Sequence, residues 1–201
     1  MKKFALMLAS ALLVLSAAGA MAAVPSKTTT DVSYVKSVET VKADGTTEVA
    51  GWNIDVTEDD TPVIEEIAKI YEWVAVKGKS AVSYFPEEIQ QAIAALLPEN
   101  FKLENMTMNE FVTLTLTGNV DALMDAKVTF TFTTKYTQDQ HVVVVIGIYD
   151  GTRDANGQYV VTWIPLDAEV LENGDISVLF PAEVIAQMND AVATAMAVLN
   201  D

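Results

Sequence analysis

The 201-residue chain contains no cysteine and a single histidine, His141. Without cysteine there is no disulfide to staple the core, so stability must come from packing. Thiol catalysis and the tetrahedral zinc sites built on cysteine are excluded as well, and so is a lipid-modified N-terminal cysteine. One imidazole leaves His141 alone for a histidine's metal-binding or general-base role. Basic residues are scarce too: 12 Lys and Arg stand against 28 Asp and Glu, a formal net charge of −16. Nucleic acids and anionic membrane surfaces both require a positive footprint, so neither is expected as a partner. A large acidic excess favours solubility, self-repulsion and association with cations.

What is present begins with Met1-Lys2-Lys3, an uncharged apolar run from Phe4 to about Ala18, and small residues through Ala23. A basic start, an apolar stretch and an Ala-x-Ala site make the plan of a secretory signal peptide. Ala18-Gly19-Ala20 and Ala20-Met21-Ala22 both fit the small-residue rule, and cleavage is expected after Ala22. The competing reading is an uncleaved anchor, because a span of ~20 apolar residues can cross a bilayer. Loss of residues 1–22 removes two lysines and no acid, leaving 10 basic against 28 acidic residues, or −18. Residues 23–201 are long enough for one domain with a full core, or one domain with a helical appendage.

After a threonine-rich leader, Val32, Tyr34 and Val38 alternate with Val35 and Val41 on the opposite parity. The turn Ala43-Asp44-Gly45-Thr46 is followed by Trp52, Ile54 and Val56 on one face, which predicts a β-hairpin over 32–56. Glu58-Asp59-Asp60-Thr61-Pro62 reads as a helix start. Val63, Ile67, Ile70 and Val74 give an apolar stripe at helical spacing beside Ile64 and Tyr71, and Lys77-Gly78 closes it. A second helix is expected from Pro86-Glu87-Glu88, with Ile89, Ala92, Ile93, Leu96 and Leu97 as its stripe and Pro98 as its end. Residues 23–105 are thus predicted to hold a hairpin and a helical pair.

From Met106 the pattern is strand. Val112, Leu114 and Leu116 alternate with Thr113, Thr115 and Thr117, and Val128, Phe130 and Phe132 with Thr129, Thr131 and Thr133. His141–Leu166 is expected to form the central hairpin. Val142–Ile146 is a continuous β-branched run of the kind buried on both faces, and Tyr159–Ile164 returns through the turns at Asp150-Gly151 and Asp154–Gly157. Short strands follow at 166–171 and at Ile176, Val178 and Phe180, then a helical turn from Pro181 and a last strand over 191–199. The predicted fold class is α+β: an N-terminal β-hairpin and helical pair, followed by an antiparallel β-sandwich over 106–201.

Trp163-Ile164-Pro165-Leu166, Phe180-Pro181-Ala182-Glu183-Val184 and Ala197-Val198-Leu199 resemble the tail of small exported proteins of anaerobic Gram-positive bacteria. Gly51-Trp52 and Met108-Asn109-Glu110-Phe111 extend the likeness over most of the mature length. The resemblance implies a helical pair, a β-sandwich and export; the role of those proteins is uncharacterised, and no catalytic motif comes with it.

Each stretch that invites a chemical reading has a plainer one. Gly78-Lys79-Ser80 matches the end of a phosphate-binding loop, but the motif's first glycine falls on Trp73, and a helix end followed by a loop is preferred. Asp150–Gly157 is rich in calcium-ligating oxygens, yet the sixth and twelfth positions are Ala155 and Val161 where glycine and glutamate are needed. A hairpin loop uses the same residues. The carboxylate groups Glu58-Asp59-Asp60, Glu65-Glu66 and Glu87-Glu88 stand at helix starts or on polar faces, where the helix dipole explains them. His141 beside Asp139 invites an acid–base pair, but a strand-end histidine with local hydrogen bonds is preferred, and no serine occupies a nucleophile elbow. The threonine rows fit a flat ice- or glycan-binding face, though threonine is also the ordinary solvent-side strand residue.

No catalytic, cofactor-binding or metal-ligating residue is therefore assigned. The expectation is a secreted or cell-surface, non-enzymatic interaction module that binds protein or glycan at the cell envelope. A hydrolase built on a carboxylate pair and a binder with a pocket between helices and sheet are the alternatives. Two inward-facing carboxylates would favour the first and a deep apolar cavity the second.

Overall fold

The computed structural model describes residues 34–57, 69, 73, 80–99, 101–120 and 124–201. Among these residues the strands are β1 (Val35–Val41), β2 (Thr47–Val49), β3 (Trp52–Thr57), β4 (Thr107–Gly118), β5 (Ala126–Phe130), β6 (Val142–Arg153), β7 (Tyr159–Val170), β8 (Ile176–Phe180) and β9 (Ala193–Asn200). All nine join one antiparallel sheet in the order β2-β1-β5-β8-β7-β6-β9-β4-β3. The α-helices among the described residues are α1 (Glu87–Ala95) and α2 (Ala182–Asp190), neither long and apolar enough to cross a membrane.

Chain connectivity forces this sheet to roll. β2 and β3 are its two edges, yet only Ala50 and Gly51 separate them. Three steps along the chain reach at most about 11 Å, whereas nine strands laid flat would span about 38 Å at the usual spacing. The sheet curls into a half-barrel, with the Ala50 N–H still donating to the Val38 carbonyl at 2.9 Å.

Rolling gives every strand an inner and an outer face. Phe130, Val144, Ile146, Ile176, Phe180 and Met196 are among the inner residues, all buried. α2 crosses one end of the roll from β8 to β9 and turns Val184, Ile185 and Met188 into this core. Outside, Val143, Val145, Ala195, Ala197 and Leu199 form a second buried layer beneath Val82, Phe85 and Ile93. The continuous apolar run of β6 is explained by this double cover, as its composition predicts. Trp163 on β7 lies over Gly147, where any Cβ would collide with the indole, and Phe85 meets it edge-on at 5.1 Å.

The expected sandwich with an N-terminal helical pair is corrected here. Nearly half of the described residues (48%) are strand, and they form a single rolled sheet rather than two stacked ones. The two α-helices among the described residues do not pair with each other: α1 packs on the outer layer and α2 on the inner core. The helix expected over 62–77 lies outside the described residues except Lys69 and Trp73, both in helical backbone. The hairpin over 32–56 forms only as far as β2. Trp52, Ile54 and Val56 then leave it and pair with β4 at the opposite edge. Strands from both sides of Met106 enter one sheet. The stretch 159–170 is one long strand, β7, through Pro165, which pairs with Val145 of β6 and lies beyond the β8 ladder that begins at Ala168. The expected last strand is β9, and the expected helical turn is α2.

Candidate functional site

Two places collect polar chemistry. The first is the outer face of β1, β5, β8 and the Glu169 end of β7, beyond the second buried layer, which takes in Trp163 of β7. Cross-strand register puts Ser37 opposite Thr129, Thr129 opposite Ser177, and Ser177 opposite Glu169. Residues directly opposite share a face with Cβ atoms about 5 Å apart, so three hydroxyls and a carboxylate form one line across four strands. The neighbouring line holds Glu39, Lys127 and Leu179, and Leu179 is 50% exposed. Lys127 Nζ pairs with Glu169 at 3.3 Å. The Ser177 hydroxyl is buried and has no hydrogen-bond partner.

This face runs into a charged knot at the end of the roll. Asp175, with its side chain almost wholly buried, accepts from Lys135 Nζ at 2.7 Å, Asn173 Nδ2 at 2.8 Å and Lys36 Nζ at 3.2 Å. Burial pushes its carboxyl up, but hydrogen bonds from Lys135, Thr131 and Lys36 outweigh that and hold it far below the usual range.

The second place is inside the same end. A bulge between Met108 and Glu110 sets Glu110 opposite Val198 of the inner core. It therefore points inward, unlike its neighbours Met108 and Phe111 in the outer layer. Burial raises the Glu110 carboxyl above the ordinary glutamate range, with a hydrogen bond to Thr134 opposing. Tyr136 lies close by; burial and then the Glu110 charge push its phenol up. Its hydroxyl is buried with no partner.

No family model, curated protein or solved structure matches the chain.

The stretches singled out by sequence fall elsewhere. The Asp150 carboxylate accepts the Thr152 N–H at 2.8 Å, and Asp154 accepts those of Asn156 and Gln158, each at 2.8 Å. The oxygens of this loop are turned onto its own backbone, and both carboxyls are lowered, by the Thr152 hydroxyl and by the Gln158 N–H respectively. Among the described residues no group of three His, Asp or Glu is gathered for a metal ion. His141 faces Asp201 rather than Asp139, with Nδ1 3.3 Å from the carboxylate, while Asp139 takes the Thr137 hydroxyl. Gly78, Lys79, Glu58, Asp59, Asp60, Glu65 and Glu66 lie outside the described residues. Ser80 uses its carbonyl to accept the Ser83 hydroxyl. Glu87 and Glu88 sit in the first turn of α1. The two threonine rows do not share a surface: β4 and β5 are separated by β9, β6, β7 and β8.

Sequence reading missed Glu110 and the hydroxyl line. A carboxylate before Phe111-Val112 in a strand was the available signal for Glu110. The line depends on register between strands far apart in sequence, which alternation does not specify.

Proposed function

We propose that this chain is an exported, non-enzymatic interaction module that holds an envelope glycan against the outer face of β1, β5, β8 and β7. The observation that supports it is the line Ser37–Thr129–Ser177–Glu169, flanked by Lys127 and Glu39. Hydroxyls, a carboxylate and an ammonium at strand spacing offer the alternating donors and acceptors that sugar hydroxyls require. Glu169 on this face is exposed, Ser37 and Thr129 are half-buried, and Ser177 lies beneath them with a hydroxyl that has no partner; the side chains are set by a rigid sheet instead of a mobile loop. Export rests on the signal-like residues 1–22 and predicts a mature chain starting near Ala23. The hydrolase alternative has less support, because glycoside cleavage uses two carboxyls flanking one bond. Glu110 points inward, whereas Asp175 is bound to Lys36 and Lys135.

A glycan array probed with the mature protein and with Thr129→Ala/Glu169→Ala tests this reading. The mature protein should retain a subset of glycans, and the double variant should lose about tenfold in affinity at unchanged melting temperature, as one or two lost hydrogen bonds imply. Retention of none, or equal retention by both proteins, would sink it.

A further inference from the structure

Residues 131–140 leave β5 and enter β6, passing β8 and β7, so they cross the end of the roll opposite α2. One side of this crossing is tied to the sheet's outer knot. Thr131 N–H donates to the Tyr34 carbonyl at 2.8 Å, and Tyr136 N–H donates to that of Gly174 at 3.3 Å. Lys135 bridges the Thr131 hydroxyl and Asp175. The other side reaches the inner face of β4, where Thr134 hydrogen-bonds Glu110 and the Tyr136 ring is buried.

We propose that residues 131–140 form a pH-responsive strap over this end of the half-barrel, held at Asp175 across the neutral range and loosened from β4 when Glu110 ionises. The two attachments differ in kind. Asp175 is met by Lys36 from β1, by Lys135 and Thr131 from the strap, and by Asn173 beside it. Its charge is compensated, and its attachment persists until strong acid. Glu110 is met by Thr134 and Tyr136 from the strap and by Val198 across the ladder. Among the described residues no cation pairs with it. As a neutral acid it sits comfortably against Tyr136 and the apolar core. As an anion it needs water, which enters by lifting the strap around Tyr136. Closure therefore takes up a proton, and the strap is shut at lower pH and loosened as pH rises through the Glu110 value.

Hydrogen exchange of the amides of residues 131–140 tests this, with the intrinsic pH dependence of exchange divided out and the Val144 amide as the core reference. From about pH 5 to about pH 8 strap protection should fall in the wild type, by up to about one decade per pH unit between the ordinary glutamate value and the raised one, and level off above it. It should stay flat in Glu110→Gln. Thr134→Val, which keeps the carboxyl but removes its hydrogen-bond partner, should lower protection already at about pH 5. Constant wild-type protection, or an equal fall in Glu110→Gln, would overturn the proposal.

Discussion

Trp163 and Gly147 show how much of the outer core depends on one missing side chain. The indole occupies the space a Cβ at 147 would fill, and Phe85 closes over it. Gly147→Ala should cost about 1–3 kcal/mol by overpacking. Trp163→Ala and Phe130→Ala should each cost about 3–5 kcal/mol through lost burial and the cavity left behind. Thermal or denaturant melts check all three. Burial of Trp163 and Phe130 was legible, because each alternates with polar residues along its strand. The reason for Gly147 was not, since nothing local says which side chain will lie across it.

Glu110 and Asp175 set the pH dependence with opposite signs. Glu110 is raised in the folded state, so its contribution is fully present below the ordinary glutamate value. That contribution is lost as pH climbs through the folded value. Each pH unit between the two values is worth about 1.4 kcal/mol. Glu110→Gln should flatten this decline and be the more stable protein at alkaline pH. Asp175 is lowered, so its stabilisation is present above the ordinary aspartate value and is lost as pH falls toward its folded value. Asp175→Asn should remove much of the acid sensitivity. Stability curves of the two variants against pH should therefore depart from the wild type at opposite ends. Departure at the same end would contradict these assignments.

At the scale of elements, alternation revealed most strands but not their neighbours. The stretch after Gly45 reads as a single return strand, yet the chain breaks at Ala50-Gly51 and its second half joins β4. Local pattern is the same in both cases. What decides is that the inner face needs Trp52 and Ile54 opposite a sheet that has already curled. The sandwich expectation failed for that reason: short alternating strands fit two stacked sheets or one rolled sheet equally well. α2 also draws on a distant residue. Pro181 precedes it with no capping side chain, and the Ala182 N–H donates to Asp125 Oδ1 at 2.8 Å. Asp125→Ala should destabilise by about 0.5–2 kcal/mol, the usual worth of a helix cap, read as a lower denaturation midpoint. A neutral outcome would mean that solvent replaces this bond freely.

Over the whole molecule, the formal charge of −16 opposes compaction. Added salt should raise the melting temperature by screening. Calcium and sodium matched for ionic strength should act alike apart from a small divalent excess, since the oxygens of Asp150 and Asp154 are already turned onto their own loop. Calcium stabilisation that saturates below ~1 mM and vanishes in Asp150→Asn/Asp154→Asn would mark a specific site instead.

The same curvature that hides the inner core turns Ser37, Thr129, Ser177 and Glu169 onto one sector of the outside, and the proposed function rests on that sector. The most direct measurement is an amide chemical-shift map of the nitrogen-labelled mature protein during titration with soluble polysaccharide released from a bacterial envelope. Saturable shifts should centre on Ser37, Thr129, Ser177 and Glu169, four residues brought together only by strand register. No shifts, or shifts centred on Glu110 and Tyr136 or on the loop 150–158, would contradict the account.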